Sequence, residues 1–106
     1  MFAVIYRWQV VPGLETQFEA GWRRGTERIA AEFGGWGSRL HKEDNGVYIA
    51  YAQWPNEDAW KKAMETRMNH SDDEARKMYR DAIVPGSFET IAKGEVVADL
   101  LELRRP

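Results

Sequence analysis

Hydrophobic positions alternate with a period of two from Phe2 to Val10. Phe2, Val4, Tyr6, Trp8 and Val10 fall on one face, and Ala3, Ile5, Arg7 and Gln9 on the other. The run is rich in aromatic and β-branched residues and stops at Pro12-Gly13, so it predicts a strand closed by a turn. Both faces begin apolar, which suggests a strand covered on two sides. From Leu14 the period lengthens: Leu14, Phe18, Trp22, Ile29 and Phe33 form one stripe of a helix with charged residues opposite. Gly21 and Gly25 share that stripe. Each costs roughly 1 kcal/mol against alanine inside a helix, and close approach of the helix to a sheet is the expected compensation. Gly34-Gly35 predicts the helix end.

Trp36 to Glu43 and Val47 to Trp54 flank Asp44-Asn45-Gly46. Asn-Gly is the strongest short hairpin signal, because a type I′ turn needs two positive φ angles. With Asn45-Gly46 as the two-residue loop, His41 stands opposite Ala50 and Arg39 opposite Ala52, with Trp54 further along the same face. Ser38, Leu40, Ile49, Tyr51 and Gln53 then occupy the other face. Pro55-Asn56 closes the hairpin, and Asn56 is placed to cap a second helix with a Trp60, Met64 and Met68 stripe. Ser71-Asp72-Asp73-Glu74 reads as a capping box for a third helix, whose apolar face is Ala75, Met78, Tyr79, Ala82 and Ile83. Pro85-Gly86 ends it. The stretch to Gly94 is ambiguous, and Glu95 to Leu103 predicts the last strand.

The order strand, helix, strand, strand, helices, strand is the split βαβ plan. It predicts an α+β, ferredoxin-like βαββαβ domain, an antiparallel sheet with helices on one face. At 106 residues the chain suits a single domain over 1–106. A domain this small buries a modest share of its surface. Its bare sheet face also reads as apolar, so a second copy is the expected cover and the homodimer the expected assembly.

Charge and cysteine content then remove whole classes of function. The formal net charge is −2 and the basic residues are interspersed with acidic ones. No footprint for nucleic acid or an anionic membrane follows from that. With no cysteine, disulfides, thiolate nucleophiles and cysteine metal sites drop out. The N-terminal Met1-Phe2-Ala3-Val4-Ile5-Tyr6-Arg7 lacks the pattern of a secretory signal, so a cytoplasmic location is expected. No apolar run has the length of a membrane span.

Gly37-Ser38-Arg39-Leu40-His41-Lys42, then Tyr51-Ala52-Gln53-Trp54-Pro55 and a helix opening Asn56-Glu57-Asp58-Ala59-Trp60, resemble the antibiotic biosynthesis monooxygenase family. The first strand and the Pro12-Gly13 turn fit the same pattern, and the resemblance covers about the first two-thirds of the chain. It implies a dimeric α+β barrel with a pocket in each subunit between sheet and helices. Some members oxygenate phenolic polyketides or quinols without metal or flavin, and others degrade haem. Many members carry a histidine on the second helix where this chain has Ala63, and the tryptophan of the haem-degrading branch aligns near the same alanine.

Cofactor-free oxygenation asks a site to bind a flat, electron-rich aromatic and to help remove a proton, because the resulting anion can pass an electron to dioxygen. This chain supplies the residue types: Trp8, Trp54, Trp60 and Tyr79 as walls, His41 as base, and Arg39, Tyr6 or Tyr51 as donors. His70 is expected in the solvated loop beside the Ser71 cap. Two histidines without a carboxylate at ligand spacing make a poor metal site, and no glycine-rich phosphate loop follows a strand, so neither a metal nor another cofactor is expected. Trp22 and Trp60 read as core, Arg23-Arg24 and Arg28 as a solvated face, and Asp72-Asp73-Glu74 as a cap. Three functions fit: a cofactor-independent monooxygenase acting on a small aromatic, polyketide or quinol-type compound, a non-catalytic ligand-binding dimer, or a structural dimer whose cavity is filled by its own aromatic side chains.

Overall fold

A computed structural model describes residues 1–102. Four strands and three helices follow one another as β1 (Phe2–Gln9), α1 (Glu15–Phe33), β2 (Ser38–Lys42), β3 (Val47–Trp54), α2 (Glu57–Glu65), α3 (Asp73–Ala82) and β4 (Glu89–Glu95). The sheet is antiparallel throughout, with strand order β2-β3-β1-β4. This is the expected ferredoxin-like α+β plan.

Period-two burial sets the two faces of the sheet. Phe2, Val4, Tyr6 and Trp8 of β1 and Tyr48, Ala50, Ala52 and Trp54 of β3 are all buried, and with Phe18 of α1 and Trp60 of α2 they make one continuous core. The opposite face carries Ala3, Ile5, Arg7, Ile49 and Tyr51, each half-buried in the single chain. The two-sided cover expected for β1 is therefore complete on one side only.

α1 ends at Gly34, whose φ of 79° is the left-handed conformation that glycine adopts freely. The two glycines inside α1 are explained by α3 and by the loop before it, not by the sheet. A β-carbon at position 21 would lie 2.8 Å from the backbone nitrogen of Tyr79 and 3.0 Å from the carbonyl oxygen of Ala75, so α1 and α3 touch backbone to backbone there. One at position 25 would lie 3.1 Å from Nε2 of His70.

The hairpin register differs from the expected one by a single residue. Glu43 donates its backbone N–H to Val47, which leaves Asp44, Asn45 and Gly46 as a three-residue loop. Asn45 (φ 62°) and Gly46 (φ 76°) both take positive φ. Pairing consequently runs Arg39 to Tyr51, Leu40 to Ala50 and His41 to Ile49. A one-residue slip moves every side chain to the other face. Leu40 and Ser38 thus join Ala50 and Ala52 on the helix side, and Arg39 and His41 turn away from it.

Two further expectations change. Asp72, not Ser71, caps α3: its carboxylate accepts from the N–H of Ala75. Ser71 instead gives its N–H and hydroxyl to Glu32 of α1. The last strand is Glu89–Glu95, because the turn at Pro85-Gly86 delivers the chain directly to the free edge of β1. An edge strand with water on one side needs no apolar run, and Lys93 suits such an edge. The apolar stretch from Val96 lies beyond β4, with Val97 and Leu100 fully exposed. Leu103, the expected end of that strand, lies outside the described residues.

Candidate functional site

A cavity of about 780 Å³ lies between the helix side of the sheet, α1, α3 and the loop from α2 to α3. That is within the range of pockets that enclose a small organic molecule. β1 contributes Tyr6 and Trp8, and β3 contributes Ala52 and Trp54. α1 adds Trp22 and Ile29, α3 adds Arg76 and Tyr79, and Phe88 closes one side. Alternation along β1 and β3 is what sends these rings to one face, and Ala52 leaves space among them. Gly35 permits the close seat of Trp54, since a β-carbon there would meet the indole at 3.3 Å.

Two hydroxyls are fixed in this aromatic shell. Trp60 donates its indole N–H to the oxygen of Tyr6 at 2.7 Å, and Trp8 donates its own to the oxygen of Tyr79. A tyrosine that accepts in this way keeps its O–H proton to donate elsewhere. Burial pushes the Tyr6 hydroxyl up to about 12 and moves that of Tyr79 upward too, so both stay protonated at neutral pH. The rings form a contact chain, with centroids of Tyr6 and Trp8 5.9 Å apart and Trp8 and Phe88 5.7 Å apart.

Of the residues expected at the site, Tyr6, Trp8, Trp54 and Tyr79 line the cavity together. Trp60 is buried behind Tyr6 and acts on the cavity only through its hydrogen bond. Arg39 and His41 sit exposed on the helix-free face because the hairpin loop has three residues and not two, and Tyr51 lies there because it alternates with the buried Ala50 and Ala52. The inference that placed His41 beside Ala50 and Ala52 is corrected by that register. Trp22 is half-buried and part of the cavity wall, not fully core.

His70 departs most from expectation. It is 6% exposed and lines the cavity. α1 grips the loop just after it: Glu32 takes the N–H and hydroxyl of Ser71, while Arg24 makes a two-pronged pair with Asp72 at 2.8 and 3.0 Å. Arg24 is thus a tether, not part of a solvated face. Burial, followed by the nearby Arg76 cation, holds the imidazole below its ordinary pKa. The sequence did hold a signal for this, namely Gly25 on the apolar stripe of α1, one turn from Gly21. A side chain small enough to need no volume there implies a large one pressed against it.

Among the described residues no group of three histidines or carboxylates gathers to hold a metal ion. No helix among them is long and apolar enough to cross a membrane.

No curated protein matches the chain. Among solved structures, a protein of Caulobacter crescentus assigned to antibiotic biosynthesis monooxygenases is 18% identical, with a TM-score of 0.68 over 92% of this chain and 90% of that one. SnoaB, a cofactor-independent oxygenase from Streptomyces nogalater, is 18% identical with a TM-score of 0.67, covering 95% of this chain and 97% of its own. A Bordetella bronchiseptica protein of the same assignment is 19% identical, with a TM-score of 0.67 over 92% and 97% of the two chains. At such identities the likeness concerns the fold. The family model for antibiotic biosynthesis monooxygenase matches residues 1–78, which run from β1 into α3 and include most of the cavity wall. On that match the chain belongs to the antibiotic biosynthesis monooxygenase family.

Proposed function

We propose that the protein is a cofactor-independent monooxygenase acting on a small aromatic, polyketide or quinol-type compound held in this cavity. The observation that carries the reading is the pairing of aromatic walls with two hydroxyls, Tyr6 and Tyr79, each fixed by an indole and each kept protonated. Such donors stabilise negative charge developing on a bound phenol or enol, which is the charge that reaction with dioxygen requires. For an activated methylene the balance is simple: the substrate loses a proton to solvent, its anion reduces dioxygen, one oxygen becomes the new carbonyl and the other leaves as water. The substrate is the only reductant. Exposed Arg67, Asn69 and Arg80 on the lining put one side of the cavity in reach of solvent. The membership of SnoaB, a cofactor-independent oxygenase, among the structural neighbours supports the same reading.

The functional unit in this proposal is a homodimer joined through the helix-free face, where Ile5, Ile49 and Tyr51 lie half-buried in one chain. In that assembly Arg39 and His41 belong to the interface side. A non-catalytic ligand-binding role is favoured by one observation: among the described residues no aspartate or glutamate lines the cavity to act as a base beside the ligand. Oxygen uptake with a panel of anthrones and hydroquinones, by protein free of metal and flavin, separates the two. Uptake that matches product formation one to one supports the oxygenase. Binding of the same compounds without uptake supports the binding role.

A further inference from the structure

The cavity has an end at which donors lack acceptors. The backbone N–H of Asp72 donates to Nδ1 of His70 at 3.2 Å, so Nδ1 must offer its lone pair and the ring proton must sit on Nε2. The ring is 6% exposed and lines the cavity, with its Nε2 edge beside Gly25 of α1, and no group among the described residues accepts from Nε2. Beside it Arg76 turns its guanidinium ends to Asn69 and Asp73, while its Nε is buried with no partner. Of these donors the Arg76 Nε is the buried one, and a buried donor left without an acceptor costs about 1–3 kcal/mol and calls for an explanation. The charge of the lining points the same way, with Arg67, Arg76 and Arg80 present and no carboxylate among the described residues that line it.

We infer that His70, with Arg76, forms an anion-recognition end of the cavity, and that the ligand is an aromatic compound carrying an acidic oxygen group such as a carboxylate, sulfonate or ionised phenol. The imidazole serves as a neutral donor through Nε2 and not as a base, because its other nitrogen is already engaged. This inference rests on the cavity being the ligand site, and it adds which end of the ligand binds where.

Two fluorescent probes of nearly the same shape test it: 8-anilinonaphthalene-1-sulfonate, which is anionic, and N-phenyl-1-naphthylamine, which is neutral. The wild-type protein is expected to bind both, the anionic probe about tenfold more tightly, as a charge-assisted hydrogen bond supplies. His70→Phe should remove that preference, so that the two probes bind with equal affinity. Gly25→Ala, which displaces the imidazole without removing it, should reduce the preference in the same direction. Near-ultraviolet circular dichroism checks that each variant is folded. Independently, long-range nitrogen–proton correlation spectra of labelled histidine should show His70 with its proton on Nε2 at neutral pH. Equal affinities in wild type, or a preference that survives His70→Phe, overturns the inference while the cavity reading stands. Failure of both probes to bind removes the cavity reading and the inference together. A proton found on Nδ1 also overturns it.

Discussion

Trp60 of α2 and Tyr6 of β1 are joined by an indole-to-hydroxyl hydrogen bond of 2.7 Å between two buried side chains. The bond uses the oxygen of Tyr6 as acceptor and so leaves its proton available to the cavity. Tyr6→Phe removes that proton and at the same time strands the Trp60 N–H in the core. The variant should lose about 1–3 kcal/mol of stability in urea unfolding. In the oxygen-uptake assay it should turn over more slowly than Trp60→Phe, which retains the hydroxyl. The reverse order would mean that Trp60, not Tyr6, contacts the substrate.

Gly21→Ala should destabilise the protein even though alanine is the better helix former. The propensity gain is about 1 kcal/mol. Against it stands a β-carbon 2.8 Å from the Tyr79 nitrogen, where backbone has to move. Overpacking of this sort costs about 1–3 kcal/mol, so the expected net change in a denaturant titration is a loss. A gain would show that α1 and α3 can separate without cost.

Stability should depend on His70 in a defined pH window. Its pKa is held below the ordinary 6.5 mainly by burial and next by Arg76, with Arg28 adding to the effect and Glu32 and Asp72 opposing it. The unfolded chain therefore takes up this proton before the folded one does. The contribution is absent above the unfolded pKa, and stability falls as pH drops below it. Glu32 and Asp72 have lowered pKa values, caused first by Ser71 and by Arg24 respectively, so their loss begins lower, below 4.5 and 3.8. Thermal melting between about pH 7 and pH 5 should thus fall in the wild type and stay nearly level in His70→Gln. Parallel curves would exclude His70 as the source.

His41→Gln should leave turnover and probe binding essentially unchanged, because His41 is exposed and paired with Ile49 on the helix-free face. A loss of about a hundredfold, the usual share of a general base, would show that the dimer brings His41 to a reaction centre.

The sheet, the order of elements and the walls contributed by β1 and β3 were legible because a half-buried strand writes its orientation into every second residue. The hairpin was not, for a local reason: Asn45-Gly46 is compatible with either a two-residue or a three-residue loop, and the difference is one hydrogen bond, Glu43 to Val47. That single bond decides whether Arg39 and His41 or Leu40 and Ser38 face the core. β4 was misplaced because an exposed edge strand, Glu-Thr-Ile-Ala-Lys-Gly-Glu, is polar, while the apolar residues after it attract the reading. His70 was hard to read as a site residue because its burial arises from α1, far away in the chain, where Gly25 is its one trace, and the polar Asn69-His70-Ser71-Asp72 text resembles any solvated loop.

The fit between Gly25 and His70 has a consequence for inheritance. The two residues pack against each other, so a β-carbon at 25 asks the imidazole at 70 to give way by a few tenths of an ångström. In a combinatorial library, alanine at 25 should be tolerated chiefly where 70 has shrunk or shifted, and their combined effect should depart from the sum of the single ones. Among relatives the two positions are accordingly expected to change together, a covariation that an alignment of the family would read.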